Sequence, residues 1–351
     1  MIDFRYHLVS TVAIFLALTV GIVLGTTMLQ DPLLHTLKAE TAQLREQSEQ
    51  LRTDKDLADQ FNTGSAQLIA AYEKAMVDRR LTGTRVVVVE PPGVDAAVRD
   101  AVVRLLGQAG GKVVGRISLT DRYLDPGQAD LVDEVADRWS EGLEVPRGTP
   151  YERAGTELAR AVFAAGAEDA DTSADTGDEE RADGFDPEAL VAGYAESGLL
   201  AVDGEPASGA DAVLLLAPAE PFALPGGQED SGTAAPPANA AVLALARAFD
   251  RAGAATVLAG TPTADGPGGL VRQARAEDVP FSTVDTVGTT AGDVVTVLAL
   301  ALAREGRDGH YGIGPGADGF LPTVLPVPRP QQPPSPSNGV TAEDVATDNE
   351  S

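Results

Sequence analysis

Three histidines and three methionines make up the whole stock of soft or borderline metal ligands in 351 residues: His7, His35 and His310, with Met1, Met28 and Met76. With no cysteine, disulfides, thiolate metal sites and cysteine nucleophiles are excluded. Met28 and His35 share a helix face, but seven residues place them ~10.5 Å apart, too far to chelate one ion from a single chain. Symmetry-related copies would bring His35 side chains together. His310 lies in GHYGIGPG, where glycines free the backbone to position an imidazole. His35 and His310 are therefore the candidate metal ligands. Catalytic signatures are missing. Lys112 precedes Val113 and not Ser or Thr, so it is no Walker lysine, and Gly312, Gly314 and Gly316 follow a helical pattern where a phosphate loop must follow a strand. Neither Gly-x-Ser-x-Gly nor His-Glu-x-x-His occurs. Glu90, Asp203, Glu220 and Asp285 fall near strand ends without a motif to join them, and no enzyme is expected.

The elements around these residues begin with an uncharged run of 22 residues, Leu8 to Leu29. As helix it spans about 33 Å, enough for a bilayer core of ~30 Å and longer than the roughly 7–15 residues of a secretory h-region. No small-x-small cleavage site closes it. An uncleaved transmembrane helix at 8–29 is expected, with residues 1–7 cytoplasmic and the remainder outside the cell membrane, although Arg5 and the amino terminus give only a thin positive-inside signal. Ala17, Gly21 and Gly25 form a small-xxx-small row that permits close approach of two such helices.

Beyond it, Leu37, Leu44, Leu51 and Ala58 recur every seven residues among Glu, Gln, Arg and Lys. This is one seam of a heptad; the other reads Leu34, Thr41, Ser48 and Lys55 and is polar after its first member. A helical stalk over 32–81 is expected, self-associating in parallel as a weak coiled coil. The alternative is an amphipathic helix lying on the chain's own globular domain. Near Gly83 the period changes. Val86–Val89 open an alternation of apolar strands and amphipathic helices that continues to about His310, the pattern of a mainly parallel, doubly wound α/β domain over 84–310. The fold class expected is therefore α/β: one N-terminal transmembrane helix, a long helical stalk, then that domain. Residues 168–184 are expected as a disordered insertion, since Glu168–Asp183 carries eight acids and almost no apolar side chain. Residues 311–351 are expected as a glycine- and proline-rich tail. The chain holds 53 acids against 26 bases, a net charge of −27, which argues against nucleic acid as a partner.

Several stretches together resemble the actinobacterial copper transporter family typified by MctB. They are His7, Val9, Ser10, Ala13 and Phe15–Leu18 with Gly21, Leu24 and Gly25; GQAGG from Gly107 with SLT at Ser118; STVD from Ser282 leading to VLAL at Val297; and GHYG from Gly309. The acidic insertion and the proline-rich tail depart from that pattern. The resemblance implies an envelope protein of copper homeostasis that limits copper inside the cell, with copper as the metal to be handled. It supplies no mechanism, because one span cannot enclose a polar path, so transport requires a homo-oligomer or another envelope protein. The absence of Cys and of Met clusters argues against direct high-capacity carriage of Cu(I). Relatives of this family are also associated with cell separation. That implies the alternative of a non-catalytic scaffold or receptor working with cell-division or wall-hydrolysing partners.

Overall fold

The computed structural model describes residues 3–139, 148–163, 185–223 and 236–330, and within the first helix the side chains of 26–36 are not described. The expected insertion at 168–184 and the chain beyond 330 lie outside the described residues. The chain divides into two compact units, Met1–Gln67 and Leu68–Ser351.

The first unit is helix α1 (Asp3–Val77) as far as Gln67. The backbone runs from the apolar run into the polar stretch as one helix. Its apolar stretch, Phe4–Gly25, is long enough to cross a membrane and none of it is buried. Both threonine hydroxyls inside this stretch are satisfied locally: Thr11 Oγ1 donates to the His7 carbonyl at 2.8 Å and Thr19 Oγ1 to that of Phe15 at 2.6 Å. Such back-bonding is what an apolar solvent demands of a hydroxyl.

The second unit takes the last turns of α1 and the α/β domain. Among the described residues a seven-stranded sheet has the order β3-β2-β1-β4-β5-β6-β7. The strands are β1 (Arg85–Glu90), β2 (Lys112–Leu119), β3 (Leu200–Gly204), β4 (Ala212–Leu216), β5 (Ala255–Ala259), β6 (Ser282–Val284) and β7 (His310–Tyr311). All pairings are parallel except β2 with β3. The wholly buried runs Val86–Val89 and Ala212–Leu216 are central strands because helices cover both faces. On one face the core gathers α3 (Asp121–Leu124), α4 (Ala129–Trp139), α5 (Pro150–Phe163), α6 (Pro187–Glu196), α7 (Pro237–Arg251) and α8 (Leu270–Ala276). On the other it gathers α2 (Ala96–Gln108), α9 (Thr290–Ala303) and the end of α1 through Ile69 and Val77.

Helix starts follow side-chain chemistry. Asp95 accepts from Ala97 N–H, Asp186 from Glu188 and Ala189 N–H ahead of Pro187, and Thr289 from Gly292 N–H. Helical spacing near Pro126 to Glu141 predicts one helix, but a 3₁₀ turn at Pro126–Gln128 precedes α4, with α3 before it. Asp125 both ends α3 and caps the 3₁₀ turn through Gly127 N–H, so one acid breaks the run. The run GHYGIGPG is not all loop: His310 and Tyr311 pair with Thr283 and Val284 as the last strand. The chain beyond it returns along the domain, and Arg329 N–H donates to the Arg79 carbonyl at 2.9 Å.

Candidate functional site

In a doubly wound sheet, ligand crevices open beyond the carboxyl ends of the parallel strands, where the order reverses. Here that point lies between β1 and β4. Glu90 ends β1, nearly buried, and its carboxylate accepts from Ser118 Oγ at 3.1 Å and Arg99 Nη1 at 3.4 Å, with Arg116 at 3.7 Å. These partners tie it into the sheet. The next residue, Pro91, is buried, and a Cβ on Gly93 (φ +90°) would come within 3.2 Å of Pro218 Cβ from the loop after β4. Gly93 and Pro218 thus lie close together where a ligand would enter. Asp203 is turned away from this end by the antiparallel course of β3 and pairs with Arg116 at 2.9 Å, while Glu220 is exposed. The structure therefore does not gather the four carboxylates into one site.

A buried polar constellation does form at the ends of β5, β6 and β7. Arg275 on α8 donates from Nε to Thr283 Oγ1 (2.9 Å), from Nη1 to Asp285 Oδ2 (2.6 Å) and from Nη2 to the Tyr311 carbonyl (2.8 Å). Asp265 stands 3.5 Å from the same Nη1, and its Oδ1 accepts no hydrogen bond. Asp285, fully buried, also accepts from Ile313 N–H (2.9 Å) and Gly314 N–H (2.8 Å). A side chain on Gly312 would strike the Asp285 carboxylate, and one on Gly314 that of Asp265, so these glycines exist for close approach. Burial pushes Asp265 up from its ordinary carboxylate value, against the pull of Arg275. The arrangement anchors the strand that leads into the C-terminal segment. The sequence singled out Asp285, but Asp265 and Arg275 were missed. They lie ten residues apart, at the end of a 3₁₀ turn (Pro262–Asp265) and in α8, and nothing in that spacing marks a pair.

His310 sits half-buried at this edge with Nδ1 3.0 Å from Thr283 Oγ1. Thr283 Oγ1 also accepts from Arg275 Nε, so this hydroxyl bridges the guanidinium and the imidazole. Burial, with Arg275 nearby, holds the imidazole below its usual value. The His35 side chain lies outside the description. Among the described residues no group of three His, Cys, Asp or Glu is placed to hold a metal ion. A Cβ at Gly21 or Gly25 would meet nothing within 4 Å, and Ala17 is likewise exposed. Leu37, Leu44 and Leu51 are 51%, 65% and 69% exposed.

These features define a protein with one candidate membrane helix and a mostly parallel α/β domain. The chain belongs to the MctB family: the model described as "Copper transport outer membrane protein, MctB" matches residues 1–322. It is 26% identical over 321 residues to the copper transporter MctB of Mycobacterium tuberculosis (strain ATCC 25618 / H37Rv), covering 90% of this chain and 98% of that protein. With the copper transporter MctB of Mycobacterium leprae (strain TN) it shares 27% identity over 349 residues, 94% of this chain and all of the relative.

Proposed function

We propose that the chain is a membrane-anchored envelope protein of copper homeostasis that limits intracellular copper as part of an oligomer. The observation that carries this reading is the family match running from the apolar N-terminus through the domain, with relatives named copper transporters. Copper is then cargo. The described residues offer it no resident site, and a lone helix presents its apolar surface to lipid all round, so a path for an ion requires several copies or another membrane protein. Ala17, Gly21 and Gly25 would pack the spans, and Leu37, Leu44 and Leu51 would join the helices that follow. In such an assembly His35 side chains come together just beyond the bilayer. His310, engaged by Thr283, is the weaker ligand of the two. The anchor is read as crossing the cell membrane, with residues 1–7 inside and the α/β domain outside.

A second reading is a non-catalytic scaffold or receptor for cell separation, favoured by the close approach of Gly93 and Pro218 at the sheet crevice. One experiment separates them: delete the gene in its own host, restore it on a plasmid, and measure cell copper by mass spectrometry under copper load while scoring septation. Copper raised severalfold and restored by the full chain supports copper handling. Unchanged copper with unseparated cells overturns it in favour of the scaffold.

A further inference from the structure

Among the described residues β3 is the edge of the sheet, paired only with β2. Thr120 N–H donates to the Leu199 carbonyl and Glu205 N–H to that of Val114, so the odd-numbered residues face β2. Alternation then turns the backbone N–H and C=O of Leu200, Val202 and Gly204 outward, an unfilled template for another strand. Beside this edge runs α6, and between them lies a groove of about 390 Å³. Val191, Ala192 and Ala195 of α6 face Val202 and Ala207 across it, and Glu188 and Glu205 stand on its lining with no basic residue among the lining groups. An open strand edge flanked by an apolar helix face is the geometry in which a peptide adds to a sheet, with main-chain bonds giving affinity and alternate side chains giving selection.

We propose that this groove captures an extended segment of a partner protein, added as a strand beside β3, with apolar residues facing α6 alternating with Lys or Arg. Five residues of β3 span about 17 Å, so the core of the captured segment is about five residues long. Asp203, exposed on the face of β3 turned away from α6, selects the basic residues, while Glu188 and Glu205 on the lining disfavour acids beside the apolar ones. These acids also argue against a second copy as occupant, because β3 meeting its own equivalent would crowd Glu188, Asp203 and Glu205 of two chains that each carry −27. This inference is independent of copper handling.

The test uses the full chain in detergent micelles and two fluorescein-labelled peptides, Ac-KVKVKVK-NH2 and Ac-EVEVEVE-NH2, titrated by fluorescence anisotropy at 0.3 M salt to screen diffuse attraction. The basic peptide should bind at least tenfold tighter than the acidic one and should slow amide exchange at 200–204. Val202→Pro removes an N–H outside the ladder, where an edge strand tolerates proline, and should weaken binding at least tenfold with the circular dichroism spectrum unchanged. Should that variant misfold, Ala192→Trp, at an exposed position, fills the groove from α6 and should weaken binding equally. Binding unaltered by the variant that folds, or protection located elsewhere, overturns the proposal. So does protection at 200–204 that rises with protein concentration in the absence of peptide, which would make the occupant a second copy.

Discussion

Two helices of this chain are apolar nearly all round, and they meet opposite fates. In α9, Val297, Ala299 and Leu300 are wholly buried, sandwiched between the sheet and α2. In the Phe4–Gly25 stretch of α1 no residue is buried, and Phe15 and Leu16 are about two-thirds exposed. Composition does not separate the two. What differs is the neighbourhood: α9 is 14 residues long, starts at a Thr289 cap and follows a strand it can cover, whereas the 22 residues of the N-terminal stretch adjoin no strand and continue into a polar helix. An apolar cylinder without protein neighbours requires an apolar solvent. The comparison can be broken by substitutions that should act on one helix and spare the other.

The largest effect is expected where burial leaves no alternative. Arg275→Ala strands the Asp285 carboxylate at zero exposure and removes the ties to Thr283 and Tyr311, and should cost about 3–5 kcal/mol. Urea unfolding of the detergent-solubilised full chain, followed by the fluorescence of its single tryptophan, Trp139 on α4, measures this. Ending the chain after His310 should act through the same acid, since it removes the Ile313 and Gly314 N–H donors. A loss below about 1 kcal/mol for both changes would mean that the constellation does not anchor the sheet edge.

Next in size are matched truncations in the two apolar helices. Leu300→Ala should cost about 2–5 kcal/mol, the usual range for a leucine lost from a packed core. Leu16→Ala should leave domain unfolding within about 0.5 kcal/mol. Leu16→Arg should leave the domain equally stable yet lower retention in the membrane fraction, since a central arginine costs about 2.5–3.5 kcal/mol on insertion scales. Equal loss of domain stability from Leu16 and Leu300 would mean that the N-terminal stretch is core and not span.

Much of the domain was legible because its signals are local. Val86–Val89 and Ala212–Leu216 can hardly be anything but central strands, and α6 begins and ends at Pro187 and Glu196 as the capping Asp186 and the following Ser-Gly suggest. The failures have local causes too. Asp125 breaks an otherwise periodic run, and β7 has two residues, too short for any alternation to show. The Asp265–Arg275–Asp285 constellation was invisible for a different reason. Its members come together only when β5, β6 and α8 pack, and that depends on strand order, which periodicity does not encode. Continuity of α1 could be read because the apolar run leads without a break into a polar helical pattern, and a change from apolar to polar composition does not end a helix.

A pH effect of intermediate size distinguishes α9 further. Asp293, in its first turn, is raised to about 6 by burial, opposed by the Gly288 N–H and by Arg104, and reinforced by the nearby Glu73. Because the folded value exceeds the unfolded one, the native state binds the extra proton between about pH 4 and pH 6. Stability from this group is therefore present at low pH and is lost as pH rises through 6. At ~1.4 kcal/mol per unit the full change is about 3 kcal/mol. Asn keeps an acceptor for Gly288 without the charge, so Asp293→Asn should raise stability at pH 7 and flatten the difference between pH 5 and pH 7. The readout is the wild-type-minus-variant difference, which cancels the other carboxylates. A difference that is constant with pH would show that Asp293 titrates normally.

The smallest effect on the domain, and the sharpest test of α1, concerns its leucine row. Leu44→Ala with Leu51→Ala removes two side chains that are mostly exposed, so domain unfolding should shift by no more than about 0.5 kcal/mol. If parallel copies bury this row, each leucine contributes about 1.5–3 kcal/mol to association, less what the facing polar seam costs. That cost is reduced at Thr41, whose hydroxyl is already satisfied by the Leu37 carbonyl at 2.7 Å. The double variant should then dissociate at a concentration at least tenfold higher than the wild type by light scattering in micelles, with Trp139 fluorescence unchanged. Membranes hold copies at raised effective concentration, so crosslinking there should fall less than association in micelles. Identical masses for variant and wild type across the concentration range would remove the row from the interface and leave only Ala17, Gly21 and Gly25 to hold copies together; a variant whose domain also unfolds more easily would mean that the row lies against its own domain, as the amphipathic alternative requires.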